Sequence, residues 1–391
     1  NLSKNEKIKI KKDSKNIFKK LKKKKDILNI KIDKIDVGEL IYDTYIRFRN
    51  ELNINIKDKY LEEIIYKSKI LSQGLKYFIL KKKILSLYLP YTSFISHGIP
   101  SRLGVKLNLP VYTNSGTQYN KLLKTNDLSH EPDINNFKKI FKNKKNKLSK
   151  LRESKKLIER HFSNKKKNSK KRLYYWLSSD SYKGKKISHN SDQNNNYEIV
   201  IFLPNFFETQ RVYGKIVFAD FYDWITYTLD YFSKKNIKVA IKSHPNLDIY
   251  HQDNKAFLET LKEKYNQFIW LDPMTPNKEI FKKIKLAISP YGTVLWELAY
   301  FNINSLSIGD HPGKQYNISF IPKNIKHYKK YLDNYNKLKK IVSKKEIYEF
   351  IYVHIINNND HFENSARKIE LKKIDCTKSS SLKIFLEKYK K

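Results

Sequence analysis

The sequence predicts an α/β protein with doubly wound parallel sheets, and two observations support this prediction. In the second half of the chain, short apolar runs alternate with helical stretches that carry one apolar face. Polar loops containing Ser, Gly and His follow two of these runs, at 242–245 and 289–293. The carboxyl ends of parallel strands gather at one edge of such a sheet, and ligands bind at that edge.

The elements of the second half follow in order from the apolar spacing. The predicted strands are 199–203, 237–241, 268–271, 285–288 and 305–308. The predicted helices between them are 219–234, 254–264, 277–283 and 293–302. The Lys-rich chain after Tyr328 is predicted to be helical, and each parallel connection is expected to be a right-handed crossover.

The first half carries a weaker pattern of the same kind. Residues 36–49 predict a turn and an aromatic-rich helix, and 58–80 predict a second helix with an apolar stripe. Residues 92–100 predict a short strand that ends in the polar loop Ser96-His97-Gly98. A helix at 101–108 and a strand at 110–113 complete a βαβ-like unit. Basic runs and an Asn tract between 136 and 196 predict a long helix followed by an interdomain connection.

A chain of 391 residues is long for a single core, so two domains are expected. We place them at 1–185 and 186–391, an acceptor-side α/β domain and a nucleotide-binding domain with a helical tail. The first 30 or so residues are Lys-rich. Because the chain begins with Asn1 and lacks an apolar signal core, we expect the cut edge of a longer protein.

Composition excludes several classes of protein. A single Cys rules out a disulfide framework or a Cys-based metal site and fits a reducing compartment. No apolar run reaches the ~18 residues of a transmembrane helix. The net charge of +41 favours anionic partners, although AT-rich coding would also enrich the chain in Lys, Asn and Ile. No signature of nucleic-acid binding is present in the sequence, and no specific nucleic-acid partner is expected.

Two loops of the second half carry residues suited to a phosphate group. His244 follows an apolar run and can donate to a phosphate oxygen, while Pro245 fixes the direction of the loop. Lys242 adds positive charge unless its strand position points it the other way. The alternative for His244 is a loop-end residue that caps the next helix.

Ser289, Gly292 and Thr293 precede an apolar helix, so their hydroxyls and backbone N–H groups would form a phosphate site at its N-terminus. Gly292 allows close backbone approach. Glu297 lies four residues after Thr293 on the same helix face, where its carboxylate can accept hydrogen bonds from ribose hydroxyls. The alternatives are simple capping by Ser or Thr and a solvated helix charge for Glu297.

Asp43 and His97 are the candidate general bases of the first half. An inverting sugar transfer needs a carboxylate or an imidazole to take the proton of the acceptor hydroxyl as it attacks. Arg211, in the loop after the 199–203 strand, can hold an anionic sugar carboxylate or a phosphate. The alternatives are a helix-surface charge for Asp43 and a buried polar loop residue for His97.

Other phosphate and metal motifs are missing from the sequence. It has no Asp-x-Asp at a strand end, no P-loop and no Gly-x-Gly-x-x-Gly fingerprint. Asp220 and Asp223 lie three apart within an apolar helix and are predicted to be structural. A site without a metal or a cofactor is therefore expected, with the nucleotide-sugar as a substrate.

The chain resembles bacterial capsule and surface-polysaccharide biosynthesis proteins of the two-domain GT-B glycosyltransferase type. The resemblance rests on segments 37–47, 96–98, 221–224, 242–245 and 289–293 with Glu297. Relatives with a His-Pro motif include transferases of CMP-activated sialic acid or Kdo. The resemblance implies two Rossmann-like domains facing a cleft. It also implies that His244, Ser289 and Thr293 hold the nucleotide phosphate and that Glu297 holds the ribose or base.

The expected function is metal-independent transfer of a sugar from a nucleotide donor to a capsule glycan or a lipid-linked acceptor. The expected location is the cytoplasm, and peripheral contact with the anionic inner face of the plasma membrane is expected there. One alternative is a non-catalytic basic module that binds nucleic acid or a polyanionic glycan with steep salt dependence. Another is a nucleotide-sugar epimerase or polyol-phosphate transferase on the same fold.

Overall fold

A computed structural model describes residues 2–114, 119–122, 124–125, 134–163, 182, 196–244, 253–339 and 342–357. The predicted boundary between residues 185 and 186 lies outside the described residues, as does Pro245. The two-domain division therefore stays a prediction. Within the described ranges, no helix is both long enough and apolar enough to span a membrane.

The first half is mainly helical and contains two small sheets. Its helices are α1 (Lys4–Lys19), α2 (Lys24–Ile27), α3 (Gly38–Arg49), α4 (Lys59–Lys82), α5 (Phe94–Lys106), α6 (Phe137–Lys142) and α7 (Lys147–Phe162). Its strands are β1 (Lys31–Ile32), β2 (Ile35–Asp36), β3 (Leu87–Leu89), β4 (Val111–Asn114) and β5 (Tyr119–Lys121). β1 and β2 are antiparallel, β3 and β4 are parallel, and β4 and β5 are antiparallel.

Side-chain caps begin the two long helices that flank this region. Ser3 and Glu6 form a capping box at the start of α1, and the Asp58 carboxylate accepts from the Tyr60 N–H at the start of α4. Each cap satisfies a backbone donor that has no partner inside the helix. The helices predicted at 36–49 and 58–80 are confirmed as α3 and α4.

The strand predicted over residues 92–100 is wrong. The strand is β3, at Leu87–Leu89, and α5 begins at Phe94, so Ser96-His97-Gly98 lies on a helix. Pro100 lies inside α5. The βαβ arrangement itself is confirmed, because α5 connects the parallel pair β3 and β4. The long helix predicted after residue 136 is two helices, α6 and α7.

The second half contains a five-stranded, all-parallel sheet. Its strands are β6 (Ile199–Phe202), β7 (Val239–Lys242), β8 (Ile269–Leu271), β9 (Leu286–Ile288) and β10 (Asn304–Leu306). Its helices are α8 (Phe221–Phe232), α9 (Asp253–Lys264), α10 (Asn277–Phe281), α11 (Thr293–Tyr300), α12 (Ile325–Asp333) and α13 (Lys344–Ile351). All nine elements predicted between residues 199 and 308 are confirmed, with ends that differ by a few residues.

The order of the strands is β10-β9-β6-β7-β8, with β6 at the centre. The chain moves outward from β6 to β7 and β8, and then returns to place β9 and β10 on the other side. This order is that of a doubly wound sheet, in which the order of the strands reverses between the first and fourth strands. The reversal opens a crevice at the carboxyl ends of β6 and β9.

Helices cover both faces of the sheet, as the alternation of side chains along β6 shows. Ile199 and Ile201 belong to a core shared with α8 and α9. Val200 and Phe202 belong to another core, shared with α10 and α11. Because successive residues of a strand point to opposite faces of the sheet, a single apolar run contributes to the cores on both faces. Apolar residues of α3 and α4 extend the first core, so the first half packs against this sheet.

Candidate functional site

The loops after β6 and β9 meet at the crevice where the sheet reverses direction. The Tyr291 hydroxyl donates to the Thr209 carbonyl at 3.1 Å, and the Tyr213 and Tyr291 rings lie 5.2 Å apart, edge to face. Helix α3 approaches from the first half, with Asp43 beside Arg211. The crevice is therefore formed by three segments that are distant in sequence.

Asp43 is buried at this meeting point, and one of its carboxylate oxygens has no hydrogen-bond partner in the part of the chain that the structure describes. Burial raises the pKa of Asp43 to about 7, against the attraction of Arg211. Arg211 Nη1 lies 3.6 Å from Asp43 Oδ1 and also lacks a hydrogen bond within the described chain. Asp43 and Arg211 therefore form a pair whose hydrogen-bonding groups are not all satisfied, and the Asp43 carboxyl group can exchange a proton near neutral pH.

Arg211 is held in place by its other contacts. Its Nη2 donates to the Ala219 carbonyl, and its guanidinium lies 5.1 Å from the centre of the Tyr42 ring. The Tyr42 hydroxyl donates in turn to Asp220 at 2.5 Å. These contacts leave Nη1 as the atom of Arg211 that faces Asp43.

Asp220 and Asp223 are structural, as predicted. Asp220 is buried at the N-cap of α8, where it accepts from the Asp223 N–H at 2.6 Å. The Lys24 ammonium lies 2.7 Å from Asp223 and 3.5 Å from Asp220. Both carboxylates therefore anchor α8 and α2.

The N-terminus of α11 is open at the same edge of the sheet. Gly292 is exposed with φ at +128°, and a Cβ at this position would meet no atom within 4 Å. No side chain caps the helix within the described part of the chain, and Thr293 is exposed. Ser289 is buried and its hydroxyl donates to the Tyr291 carbonyl at 3.1 Å. The backbone N–H groups that begin α11 are thus accessible to an anion, as the sequence predicts.

His244 and Lys242 stand at the end of β7 and differ in their surroundings. The His244 side chain is exposed. Partial desolvation by the surrounding protein, together with the Lys242 charge, lowers its pKa. Lys242 is buried and donates to the Thr275 carbonyl at 2.7 Å and to Asn277 Oδ1 at 2.6 Å. Burial lowers the pKa of Lys242 to about 8, although the Glu297 and Asp272 carboxylates oppose that shift.

Glu297 is buried beneath the start of α11 in the same network as Lys242. Its Oε1 lies 2.8 Å from His161 Nε2, and its Oε2 accepts from Asn277 Nδ2 at 3.4 Å. His161 comes from α7, so this contact ties a helix of the first half to the five-stranded parallel sheet. The predicted contacts of Lys242 and Glu297 with a nucleotide-sugar stay predictions. In this structure both side chains form hydrogen bonds with other residues of the protein.

His97 lies on the first turns of α5 and is half-buried. Its ring centre lies 4.3 Å from that of Tyr91, and its Nδ1 lies 2.8 Å from the Ser96 hydroxyl. Burial lowers the pKa of His97. The start of α5 contacts α3 through the Ile95 N–H, which donates to Thr44 Oγ1 at 3.0 Å. Asp43 and His97 are therefore on adjoining helices, and only Asp43 contacts Arg211 among the contacts described.

The sequence analysis missed His161, Asn277 and Tyr42. His161 lies in a Lys-rich helix without a motif, and its partner Glu297 is 136 residues away. Asn277 is the first residue of a helix, a common position for Asn, so its sequence context did not distinguish it. The one available signal was the aromatic-rich segment 36–49, which contains Tyr42. Among the residues that the structure describes, no group of three or more His, Cys, Asp or Glu side chains is placed to hold a metal ion.

No protein-family model matches the chain, and no curated protein matches it by sequence. Several solved structures are similar to its backbone fold. The UDP-GlcNAc 2-epimerase of Methanocaldococcus jannaschii, in complex with UDP-GlcNAc and UDP, is 9% identical with a TM-score of 0.34 and covers 75% of this chain and 81% of its own. KpsC of Thermosulfurimonas dismutans, a β-Kdo 2,7 transferase, is 10% identical with a TM-score of 0.40 and covers 71% and 79%.

A UDP-GlcNAc 2-epimerase of Neisseria meningitidis bound to UDP-GlcNAc is 10% identical, with a TM-score of 0.27 and coverage of 79% and 82%. These identities and TM-scores are too low to carry an activity to this chain. The class of the fold, α/β with a doubly wound parallel sheet, is established by the strand order itself.

Proposed function

We propose that this protein is a glycosyltransferase that moves a sugar from a nucleotide donor to a hydroxyl of a glycan or lipid-linked acceptor. The observation that carries the proposal is the position of Asp43. A buried carboxyl group with a pKa of about 7 stands at the carboxyl edge of a doubly wound parallel sheet, and one of its oxygens has no hydrogen-bond partner among the described residues. A general base is most effective when its pKa lies near the working pH.

The donor would bind with its phosphate at the N-terminus of α11. Backbone N–H groups after Gly292 and the exposed Thr293 hydroxyl offer hydrogen bonds, and the helix dipole favours negative charge there. His244, at the end of β7 and two strands away from β9, would add a further donor to phosphate oxygens. These groups would stabilise the charge that develops on the departing nucleotide, so the proposed reaction needs no metal or cofactor.

In the proposed reaction, the Asp43 carboxylate takes the proton of the acceptor hydroxyl. The acceptor oxygen forms a bond to the anomeric carbon while the bond from that carbon to the donor phosphate breaks, with inversion. Arg211 would orient an anionic donor or acceptor group beside Asp43, since its Nη1 is otherwise without a hydrogen bond. His97 belongs to the acceptor side, one helix away. The proposed location is the cytoplasm.

The first test is thermal stabilisation by free CMP, CDP, UMP, UDP and GDP. We expect one nucleotide to raise the melting temperature, and His244→Ala to reduce that shift. His327→Ala is the matched control, because His327 lies on α12 and stacks against Tyr331 with ring centres 4.4 Å apart. Absence of a shift with every nucleotide, together with salt-sensitive RNA or glycan binding, would replace the transferase by a basic binding module.

A further inference from the structure

The carboxyl end of α4 and the turn that follows it expose large apolar side chains to solvent. The exposed fractions are 45% for Tyr77, 49% for Phe78, 63% for Leu80 and 84% for Leu85. Tyr88, on β3, is exposed as well and stacks on Tyr112. We call residues 76–88 the α4 tip. Exposed apolar groups are common singly on protein surfaces, but a contiguous set of this size marks an interaction surface.

The same residues carry a dense positive charge. Lys76, Lys81, Lys82 and Lys83 are exposed among the apolar side chains. In the sequence, no Asp or Glu occurs between Glu63 and Asp127. The attraction of the helix C-terminus for cations accounts for lysines in the last turn, but it does not account for Leu80 or Leu85.

The α4 tip also borders a depression against the start of α1. This depression has a volume of about 470 Å³ and is lined by Leu2, Lys7, Ile70, Gly74, Tyr77, Phe78, Lys81 and Lys82. The Lys81 ammonium donates to the Tyr77 hydroxyl at 3.1 Å and lies 5.4 Å from the centre of its ring. Three ammonium groups and two aromatic rings thus line a depression that is large enough to admit a lipid phosphate group.

The chemistry of the α4 tip distinguishes among three kinds of partner. A second copy of this chain would bring a charge of +41 and the same lysines against the tip, which is unfavourable. Nucleic acid would stack bases on aromatic rings, but it offers little to the aliphatic Leu80 and Leu85. A membrane surface accepts both features, since Leu, Phe and Tyr enter the boundary of the acyl chains while Lys side chains reach the headgroups.

We infer that the α4 tip attaches this protein to a membrane surface rich in anionic phospholipid. Phe78, Leu80 and Leu85 enter the interfacial layer, and the lysines contact lipid phosphates around the depression. This inference concerns a surface apart from the crevice and is independent of the proposed transfer reaction. It specifies which face of the protein would meet the membrane.

The test is flotation of the full chain with vesicles of equal parts phosphatidylglycerol and phosphatidylcholine, compared with phosphatidylcholine alone. We expect binding to the mixed vesicles only. The variant Lys81→Glu/Lys82→Glu/Lys83→Glu should partition about 100-fold more weakly, at about fivefold per lysine. The uncharged variant Phe78→Ser/Leu80→Ser should lose about tenfold, because it removes the inserting groups and keeps every lysine.

The matched control is Lys323→Glu/Lys326→Glu/Lys330→Glu, which makes the same change of charge on exposed lysines at α12. An equal loss of binding in this control would overturn the inference, because total charge alone would then explain the attraction. Unchanged flotation of the Phe78→Ser/Leu80→Ser variant would overturn it as well. So would tip variants that keep vesicle binding and lose RNA binding. Circular dichroism and melting temperature establish that each variant is folded.

Discussion

Asp43 and Glu297 are two carboxylates buried beside the same crevice, and their partners differ. Glu297 bonds to His161 and Asn277 through both oxygens and lies near the Lys242 ammonium. Among the described residues, Asp43 has one oxygen without a hydrogen bond, and that oxygen lies 3.6 Å from a guanidinium nitrogen that also lacks one. Burial by itself therefore does not mark a reactive group. A complete set of partners indicates a structural role, and an incomplete set leaves a group available to a substrate.

The largest expected effect is on the rate of sugar transfer in Asp43→Asn. The amide keeps the shape of the carboxyl group but cannot take a proton, so kcat/KM should fall about 100-fold to 10,000-fold. The free energy of unfolding at neutral pH should not fall and should rise, since a buried acid whose ionisation is disfavoured is replaced by a neutral group. Steady-state rates and urea unfolding measure the two quantities. Asp333→Asn, on exposed α12, is the control and should keep full activity.

Glu297→Ala should instead act on stability. The substitution leaves Lys242 without its nearby carboxylate and His161 Nε2 without its partner, at a cost of about 3 to 5 kcal/mol in the free energy of unfolding. Glu159→Ala removes a carboxylate from the exposed surface of α7, 3.7 Å from Lys155, and should cost less than about 0.5 kcal/mol. A small loss of stability in Glu297→Ala would mean that the buried network does not hold α7 in place.

The pH dependence of stability offers a third comparison. Since the pKa of Asp43 is raised to about 7 in the folded protein, the folded state binds this proton more tightly than the unfolded state. Its contribution to stability is full below about pH 4, falls as the pH rises, and levels off above about pH 7. The free energy of unfolding should therefore decline by up to about 1 kcal/mol per pH unit between these limits, relative to Asp43→Asn. Parallel curves for the two proteins would contradict the raised pKa.

The smallest expected effects come from two glycines with open space around them. Gly292→Ala places a Cβ at φ +128°, where only Gly is relaxed, and should cost about 1 to 3 kcal/mol while weakening nucleotide binding. Gly74→Ala lies inside α4, where a Cβ meets nothing within 4 Å, and should stabilise by about 0.5 to 1 kcal/mol. Chemical denaturation measures the change in the free energy of unfolding for both variants. A gain of stability in Gly292→Ala, as in Gly74→Ala, would contradict the predicted backbone strain at position 292.

The second half of the chain was predictable because each of its strands is a short apolar run between amphipathic helices. The alternation requires two buried faces, so strand positions follow from local sequence. The first half was less predictable because some of its strands are not buried apolar runs. Leu87–Leu89 has no fully buried residue, and Ser96-His97-Gly98, predicted as the end of a strand, lies on a helix. Thr293 and Gly292 were placed at a helix start from sequence, and the structure has them there.

The sequence alone determined the parallel sheet, the loops at its carboxyl edge and the open start of α11, because these depend on residues near one another in the chain. Only the tertiary structure decided that Asp43 meets Arg211, and that Glu297 meets His161 across 136 residues. The pKa of a carboxyl group depends on its burial and on the charges around it, and both are set by segments far apart in sequence. For that reason, spacing identified the candidate residues, and packing separated the acid proposed as the general base from the one whose partners indicate a structural role.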